Sequence, residues 1–254
     1  MESAVTLVVG VGEVGGALAE VLERNYRVVR LDLQPVEVKD PVRVMHVCFP
    51  FASPTKFHNA AQSYIRRFRP ELTIINSTVP PGTTRALAKA TGAAIVYSPV
   101  RGKHARMPQE LLHYAKFISG LDKESTELAQ KHFSEAGMKT RVVKRPESLE
   151  LAKLSETTYF GVIIAFAQEL NRWAQAAGAD YDDVTGFFEE VAFLPRAKYF
   201  PGFIGGHCVI PNIDLLLQLG SSDLLEAILK SNELRATELG IASDAGRRRV
   251  IGEN

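Results

Sequence analysis

The feature that most constrains the fold is the order of segments in the first 32 residues. A β-branched apolar run, residues 4–9, precedes the glycine-rich stretch GVGEVGG (10–16). Apolar residues at helical spacing follow, and then a second strand, residues 27–31, that leads directly into Asp32. Strand, glycine turn, helix, strand and acid in this order are typical of a dinucleotide-binding βαβ unit. The sequence therefore predicts a parallel sheet with helices on both faces.

Each part of this turn has a physical role in binding NAD. Gly10 permits a tight turn, Gly12 lets a pyrophosphate approach the backbone, and Gly15 lets the helix pack on the strand. Asp32 stands 22 positions after Gly10, where a carboxylate accepts a hydrogen bond from a ribose 2′-hydroxyl and repels the 2′-phosphate of NADP. The alternative is a glycine turn that holds no cofactor. The predicted NAD contacts are Gly10, Val11, Gly12, Glu13, Val14, Gly15, Asp32, Pro50, Ser77 and Thr78.

The alternation of strands and helices continues to residue 145 and then stops. We predict an α/β fold: a Rossmann-like, doubly wound parallel sheet over residues 1–145, followed by an all-helical domain over residues 146–254. The predicted strands after Asp32 are 42–49, 72–76, 94–97, 116–119 and 140–143, with helices at 55–68, 85–90 and 123–136. The predicted helices of the second domain are a long central helix at 147–177 and shorter ones at 182–191 and 222–239.

The stretch PGFIGGHCVIPN, residues 201–212, contains three glycines and two prolines and is predicted to be a loop. It contains Cys208, which is either a nucleophile or a small buried apolar residue. Cys48 is the other cysteine, and two cysteines far apart indicate a reducing compartment rather than a disulfide scaffold. No spacing of metal ligands is evident.

Composition excludes several classes of function. The net charge of +1 gives no bulk attraction to nucleic acid or to a membrane. The longest apolar stretch, residues 160–167, is too short to span a bilayer, and no signal peptide is evident. We therefore predict a cytoplasmic protein with a small-molecule substrate.

Four segments in order resemble the UDP-glucose/GDP-mannose dehydrogenase family of NAD-dependent nucleotide-sugar 6-dehydrogenases: GVGEVG (10–15), NSTVPPGTT (76–84), LAKLSETTYFGVIIAFAQEL (151–170) and PGFIGGHC (201–208). The resemblance implies two hydride transfers to NAD, with a thiohemiacetal and then a thioester on a cysteine. It assigns Cys208 as the nucleophile, Lys153 as the group that stabilises oxyanions, and Thr78 as a residue that orders water. It also implies a homodimer through the long helix, residues 146–254 forming the dimerisation domain with the Cys208 loop.

This sequence departs from the family pattern at three matched positions. Asn212 stands where the family has an aspartate, Thr157 where it usually has an asparagine, and Val100 where it has a glutamate used in thioester hydrolysis. An amide cannot accept a proton at neutral pH. The resemblance further predicts a short form, since 254 residues leave no room for the family's C-terminal nucleotide-sugar-binding domain.

These departures leave three hypotheses open. One is a two-electron oxidation of an alcohol in which Lys153 alone transfers the proton. Another is a full four-electron dehydrogenase completed by a partner, and the third is a non-catalytic NAD-binding module. The basic segment after Val100 indicates a sugar-derived or anionic substrate, although it is equally consistent with a solvated loop. The candidate substrate residues are Arg101, Lys103, His104, Gly205 and Gly206, and the candidate catalytic residues are Lys153, Cys208, Thr78, Asn212 and Thr157.

Overall fold

The computed structural model describes residues 4–34, 36–102, 106–191, 199–206 and 208–241. Contacts divide the chain into two compact units, Met1–Lys153 and Leu154–Asn254. We refer to them as the first and second units. The domain boundary predicted between residues 145 and 146 stays a prediction.

The first unit is a seven-stranded sheet with helices between its strands, in the strand order β2-β1-β3-β4-β5-β6-β7. This order, mostly parallel with a crossover beside β1, confirms the predicted Rossmann-like fold. Its elements are β1 (Val5–Val9), α1 (Glu13–Leu22), β2 (Val28–Leu31), β3 (Val42–Val47), α2 (Pro54–Phe68), β4 (Leu72–Ile75), α3 (Thr83–Thr91), β5 (Ile95–Tyr97), α4 (Met107–His113), β6 (Lys116–Gly120), α5 (Lys123–Glu135) and β7 (Thr140–Val142).

The sheet is not wholly parallel, which corrects the prediction. β6 pairs antiparallel with β5, through Val96 opposite Gly120 and Tyr97 opposite Ser119, and β7 pairs parallel with β6. The connection from β5 to β6 contains only the short helix α4, which the periodicity did not predict. Because this connection begins and ends at the same edge of the sheet, β6 must run in the opposite direction to β5.

Two apolar clusters cover the faces of the sheet. Val8 and Ile74 belong to one cluster, and Leu7 and Ile75 belong to the other. Every residue of β1 is buried, as expected of a central parallel strand with both faces covered. This packing fixes the carboxyl edge of the sheet, where the candidate residues of the first unit lie.

The second unit is helical. It contains most of α6 (Pro146–Ala177), together with α7 (Tyr181–Glu189), α8 (Val209–Leu217) and α9 (Asp223–Glu238). Its core includes Ile204, Val209 and Ile213. No helix among the described residues has the length and apolar character needed to cross a membrane.

The prediction that residues 201–212 form one loop is wrong at its end, because α8 begins at Val209. Val209 and Ile213 are four residues apart and are both buried, so one face of a helix packs in the core. Pro211 does not prevent this, since the first turn of a helix has no intrahelical partner for its N–H groups. Cys208 is consequently the N-cap residue of α8.

Candidate functional site

The glycine turn of the first unit has the shape required for close packing. Gly10 has a φ of 88°, and a Cβ at this residue would lie 2.7 Å from the backbone nitrogen of Phe49. A Cβ on Gly15 would lie 1.8 Å from the carbonyl oxygen of Gly10. A Cβ on Gly12, in contrast, would meet nothing within 4 Å. The turn is thus closed toward the sheet and open at Gly12, where a phosphate group can approach the backbone.

Asp32 lies beside this turn and is exposed. Its Oδ2 accepts a hydrogen bond from the Val11 backbone N–H at 2.8 Å, and its Oδ1 accepts one from the Leu33 N–H at 2.9 Å. A carboxylate can accept about four hydrogen bonds, so capacity remains for a ribose hydroxyl. The predicted residues Glu13 and Val14 form the first turn of α1, immediately after Gly12.

The segments that follow β3 and β4 are joined by Ser77. Its Oγ lies 2.6 Å from the Phe49 carbonyl oxygen, to which it donates, and 3.2 Å from that of Val47. The hydroxyl of Ser77 is therefore occupied by protein contacts, and Pro50 lies exposed in the same segment as Phe49. Thr78 is half-buried, and within the described residues its hydroxyl has no hydrogen-bond partner.

Glu150 is a residue of this site that the sequence analysis missed. It is fully buried on α6, and its carboxylate accepts hydrogen bonds from the Gly82 N–H at 2.6 Å, the Thr84 N–H at 2.8 Å and the Thr84 hydroxyl at 2.7 Å. Burial raises the pKa of Glu150, and these hydrogen bonds act in the opposite direction. Glu150 thereby caps the N-terminus of α3 and fixes the end of the segment 76–84 to the turn of α6 that carries Lys153.

The signal for Glu150 is present in the sequence. A glutamate three residues before Lys153, on a largely apolar helix, has to be paired if it is buried. Lys153 itself is half-buried. The periodicity does not identify the partner, because Gly82 and Thr84 precede Glu150 by more than 60 residues.

A second cluster of buried polar residues surrounds Lys116 at the carboxyl ends of β4 and β5. Its Nζ donates to the carbonyl oxygens of Ser98 and Pro99 at 2.7 and 3.0 Å, and to Asn76 Oδ1 at 3.3 Å. Burial, the largest cause, lowers the pKa of Lys116 to about 7, and the charge of Lys153 acts in the same direction. The amine thus holds together the segments that follow two adjacent strands.

The polar cluster around Lys116 extends from Asn76 to two buried histidines. Asn76 Nδ2 lies 3.1 Å from His46 Nδ1, and His46 Nε2 lies 2.9 Å from His132 Nε2. Burial lowers the pKa of both imidazoles, that of His132 to about 4, so both rings are neutral at pH 7. Burial also raises the pKa of Cys48 to about 12, which leaves this thiol protonated and unsuited to nucleophilic attack.

The basic segment after β5 is described only in part. The half-buried Arg101 donates to the Ala115 carbonyl oxygen at 3.2 Å, and its guanidinium lies 4.7 Å from the centre of the Phe117 ring. Lys103 and His104 lie outside the described residues. Val100 is buried, so a glutamate at this position would be desolvated.

In the second unit, two departures from the family pattern contact each other. Asn212 Nδ2 donates to Thr157 Oγ1 at 2.5 Å, and Thr157 Oγ1 donates to the Leu154 carbonyl oxygen at 3.1 Å. Asn212 lies in the first turn of α8, four residues after Cys208, and is buried. Thus the two residues that depart from the family pattern, which are 55 positions apart in the sequence, form one hydrogen-bonded pair.

Cys208 is half-buried at the N-terminus of α8. Gly205 and Gly206 precede it and are exposed, and Gly206 has a φ of 77°, which favours glycine. His207 lies outside the described residues. The second unit contains Cys208, Asn212 and Thr157, and the first unit contains Thr78 and Lys153.

Comparison with known proteins identifies what this chain is similar to. Residues 147–234 match the family model described as UDP-glucose/GDP-mannose dehydrogenase family, central domain. The UDP-N-acetyl-D-mannosamine dehydrogenase of Pyrococcus horikoshii is 31% identical over 168 residues, which are 61% of this chain and 39% of that protein. That of Methanococcus aeolicus is 29% identical over 170 residues, 65% of this chain and 38% of that protein. The chain thus spans about two fifths of these relatives, and the predicted resemblance is confirmed.

Solved structures share the fold. The structure of the UDP-N-acetyl-D-mannosamine dehydrogenase (UDP-D-ManNAc dehydrogenase) from Pyrococcus horikoshii aligns with a TM-score of 0.79 at 20% identity, over 92% of this chain and 70% of that one. A 3-hydroxyisobutyrate dehydrogenase from Mycobacterium tuberculosis aligns with a TM-score of 0.72 at 14% identity, over 99% of this chain and 98% of that one. At these identities the likeness shows the fold, and it confirms the Rossmann-like sheet followed by helices.

Proposed function

Since this chain carries the motifs and the central-domain match of the UDP-glucose/GDP-mannose dehydrogenase family, we propose that it is an NAD-dependent oxidoreductase acting on a CH–OH group. The observation that carries the proposal is the glycine turn, which is packed tightly at Gly10 and Gly15 but open at Gly12, with the Asp32 carboxylate beside it.

The residues at this turn fit NAD. The open backbone at Gly12 would receive the pyrophosphate, and Asp32 would accept a hydrogen bond from the ribose while repelling a 2′-phosphate. When bound, the nicotinamide accepts a hydride from the substrate. Thr78, whose hydroxyl has no protein partner within the described residues, would bind the cofactor or an ordered water.

We propose that the reaction transfers one hydride per substrate and that Lys153 takes the alcohol proton. The support is the loss of both carboxylates that the resemblance assigns to the acid-forming half: Val100 is buried in the core, and Asn212 is hydrogen-bonded to Thr157. Lys153 is half-buried, its charge lowers the pKa of Lys116, and an amine in such surroundings is a suitable candidate for the base. Cys208 would then line the substrate site rather than form a thioester.

The substrate class that we propose is a sugar-derived or anionic alcohol. Arg101 is positively charged at the carboxyl edge of the sheet, held against Phe117. Gly205 and Gly206 are exposed in the Cys208 segment, and Lys103 and His104 would add to the basic character. Because the relatives are named as UDP-N-acetyl-D-mannosamine dehydrogenases, nucleotide sugars come first in the substrate panel.

We also propose that the protein is a cytoplasmic homodimer that pairs through α6. This helix exposes four aromatic side chains, and Phe166 and Trp173 stack edge to face on its surface with ring centres 6.4 Å apart. The exposed aromatic residues are Tyr159, Phe160, Phe166 and Trp173. Sedimentation velocity tests this proposal: we expect a dimer for the unchanged protein and a monomer for Phe166→Arg, and a monomer in both would refute it.

The test of activity is the amount of NADH formed per product. The purified protein receives NAD and a panel of nucleotide sugars, sugar phosphates and small hydroxy acids. The variants are Lys153→Ala, Cys208→Ala and the matched surface variant Lys89→Ala. One NADH per product, lost in Lys153→Ala but retained in the other two, is the expected result.

Two other results would replace the proposal. Two NADH per product, with loss of activity in Cys208→Ala, would establish the four-electron dehydrogenase, in which Cys208 forms the thioester. NAD binding that Gly12→Val abolishes, without turnover of any alcohol in the panel, would favour the non-catalytic module.

A further inference from the structure

The segment before Cys208 is fixed by one side chain of α9. Asn232 Oδ1 accepts a hydrogen bond from the Ile204 backbone N–H at 2.7 Å, and Asn232 Nδ2 donates to the Ile204 carbonyl oxygen at 3.0 Å. Both residues are buried. The amide of Asn232 therefore satisfies both backbone groups of one residue, as a neighbouring strand would.

A second amide supports the same segment from α6. Gln168 is fully buried, and its Nε2 donates to the Gly202 carbonyl oxygen at 2.7 Å. Its Oε1 accepts from the Ser231 hydroxyl at 2.9 Å, and Ser231 Oγ accepts from Arg172 at 2.7 Å. The orientation of the Gln168 amide is thus fixed by a neighbour of Asn232 on α9, so the two amides act on the segment together.

These contacts limit where Cys208 can lie. On the N-terminal side the backbone is held at Ile204, and on the C-terminal side Val209 is packed in the same core. A Cβ on Gly161 of α6 would lie 2.8 Å from Val209 Cγ1, so α8 packs closely against α6. Between the two fixed points, Gly205 and Gly206 lack side chains that would restrict the backbone.

We propose that Asn232, supported by Gln168, is a positioning residue for Cys208. Its bond to Ile204 restricts the two glycines to one path and so presents the Cys208 thiol in a single orientation at the N-terminus of α8. The proposal rests on the proposed placement of Cys208 in the active site, although its test does not require a known substrate.

Three variants of the full chain separate positioning from stability. Asn232→Leu removes both hydrogen bonds to Ile204, whereas Asn232→Asp keeps an acceptor for the Ile204 N–H and loses the donor. Ile228→Val is the matched control, because it removes one methyl group from the same core without changing a hydrogen bond. Each variant is compared by melting temperature, by hydrogen exchange of the Ile204 amide, and by the rate at which iodoacetamide alkylates Cys208. Peptide mass spectrometry distinguishes Cys208 from Cys48, which is also half-buried.

We expect exchange of the Ile204 amide to become about tenfold faster in Asn232→Leu, as the loss of one buried hydrogen bond predicts, and to stay near its original rate in Asn232→Asp. Alkylation of Cys208 should become several-fold faster in Asn232→Leu and less so in Asn232→Asp. Ile228→Val should lower the melting temperature without changing either rate.

Two results would overturn the proposal: an unchanged alkylation rate in Asn232→Leu, or an equal change in Ile228→Val. If Asn232→Leu does not fold, Asn232→Asp still decides, since an alkylation rate identical to that of the unchanged protein would refute the positioning role. Retention of activity in Cys208→Ala is the result that the proposed function expects, and loss of activity there would overturn that function. Exchange and alkylation decide the role of Asn232 in either case.

Discussion

Replacement of Glu150 by alanine should loosen the segment that carries Thr78. Its carboxylate accepts three hydrogen bonds: two buried ones from Thr84 and a partly buried one from Gly82. The variant leaves these donors without a partner at the N-terminus of α3. We therefore expect the first unit to lose stability and the segment 76–84 to lose its fixed position.

The magnitude follows from the contacts. A hydrogen bond to a charged group contributes about 1.5–3 kcal/mol, so three would give about 4.5–9 kcal/mol if they were independent. Burial of the Glu150 carboxylate opposes this gain, as its raised pKa shows. We expect a net loss of about 3 kcal/mol for Glu150→Ala. Glu150→Gln keeps the oxygen that binds Thr84 and loses the acceptor for Gly82, so about half of that loss is expected.

The assay is hydrogen exchange at the Gly82 and Thr84 amides, supported by urea unfolding followed by circular dichroism. Fluorescence is less suitable, because the single tryptophan, Trp173, lies in the second unit. Glu147→Ala is the control: Glu147 is half-buried one turn earlier on α6, and its ion pair is with the exposed Arg85 of α3, so the pair contributes little. Equal effects of Glu150→Ala and Glu147→Ala on exchange would refute this account of the cap.

Three further predictions concern the first unit. Gly15→Ala should abolish NAD binding as measured by calorimetry, because its Cβ would lie 1.8 Å from a backbone oxygen. Gly16→Ala is the control and should bind NAD normally, because the nearest atom to its Cβ would be 3.6 Å away. Burial lowers the pKa of His132 in the folded protein from 6.5 to about 4. The stability that comes from the neutral imidazole is therefore fully present above pH 6.5, and the free energy of unfolding falls by about 3 kcal/mol as the pH drops to 4. Urea unfolding at several pH values tests this. His132→Phe should no longer show this fall in stability between pH 6.5 and pH 4, whereas His113→Asn should still show it. Asp32→Asn should bind NADP more tightly relative to NAD, since it removes the charge that repels a 2′-phosphate; an unchanged ratio of dissociation constants would contradict this role.

The sequence by itself determined the parts of the molecule that depend on local geometry. Gly10 and Gly15 are required wherever a chain makes this turn, and the buried strands of a parallel sheet read as continuous apolar runs. The Rossmann-like fold and the long helix could therefore be predicted from residue order and periodicity. The position of Asp32 beside the turn followed from its place at the end of the second strand.

The tertiary structure decided which distant residues meet. Glu150 with Thr84, Lys116 with Asn76, Asn212 with Thr157 and Asn232 with Ile204 are each separated by 28 to 66 residues. No periodicity records such pairs, because each exists only where folded elements bring two polar groups together. The reversed direction of β6 and the start of α8 at Val209 have the same origin, since the packing of neighbouring elements determines them. Turns and strands are thus encoded locally, whereas the partners of buried polar groups depend on the whole fold.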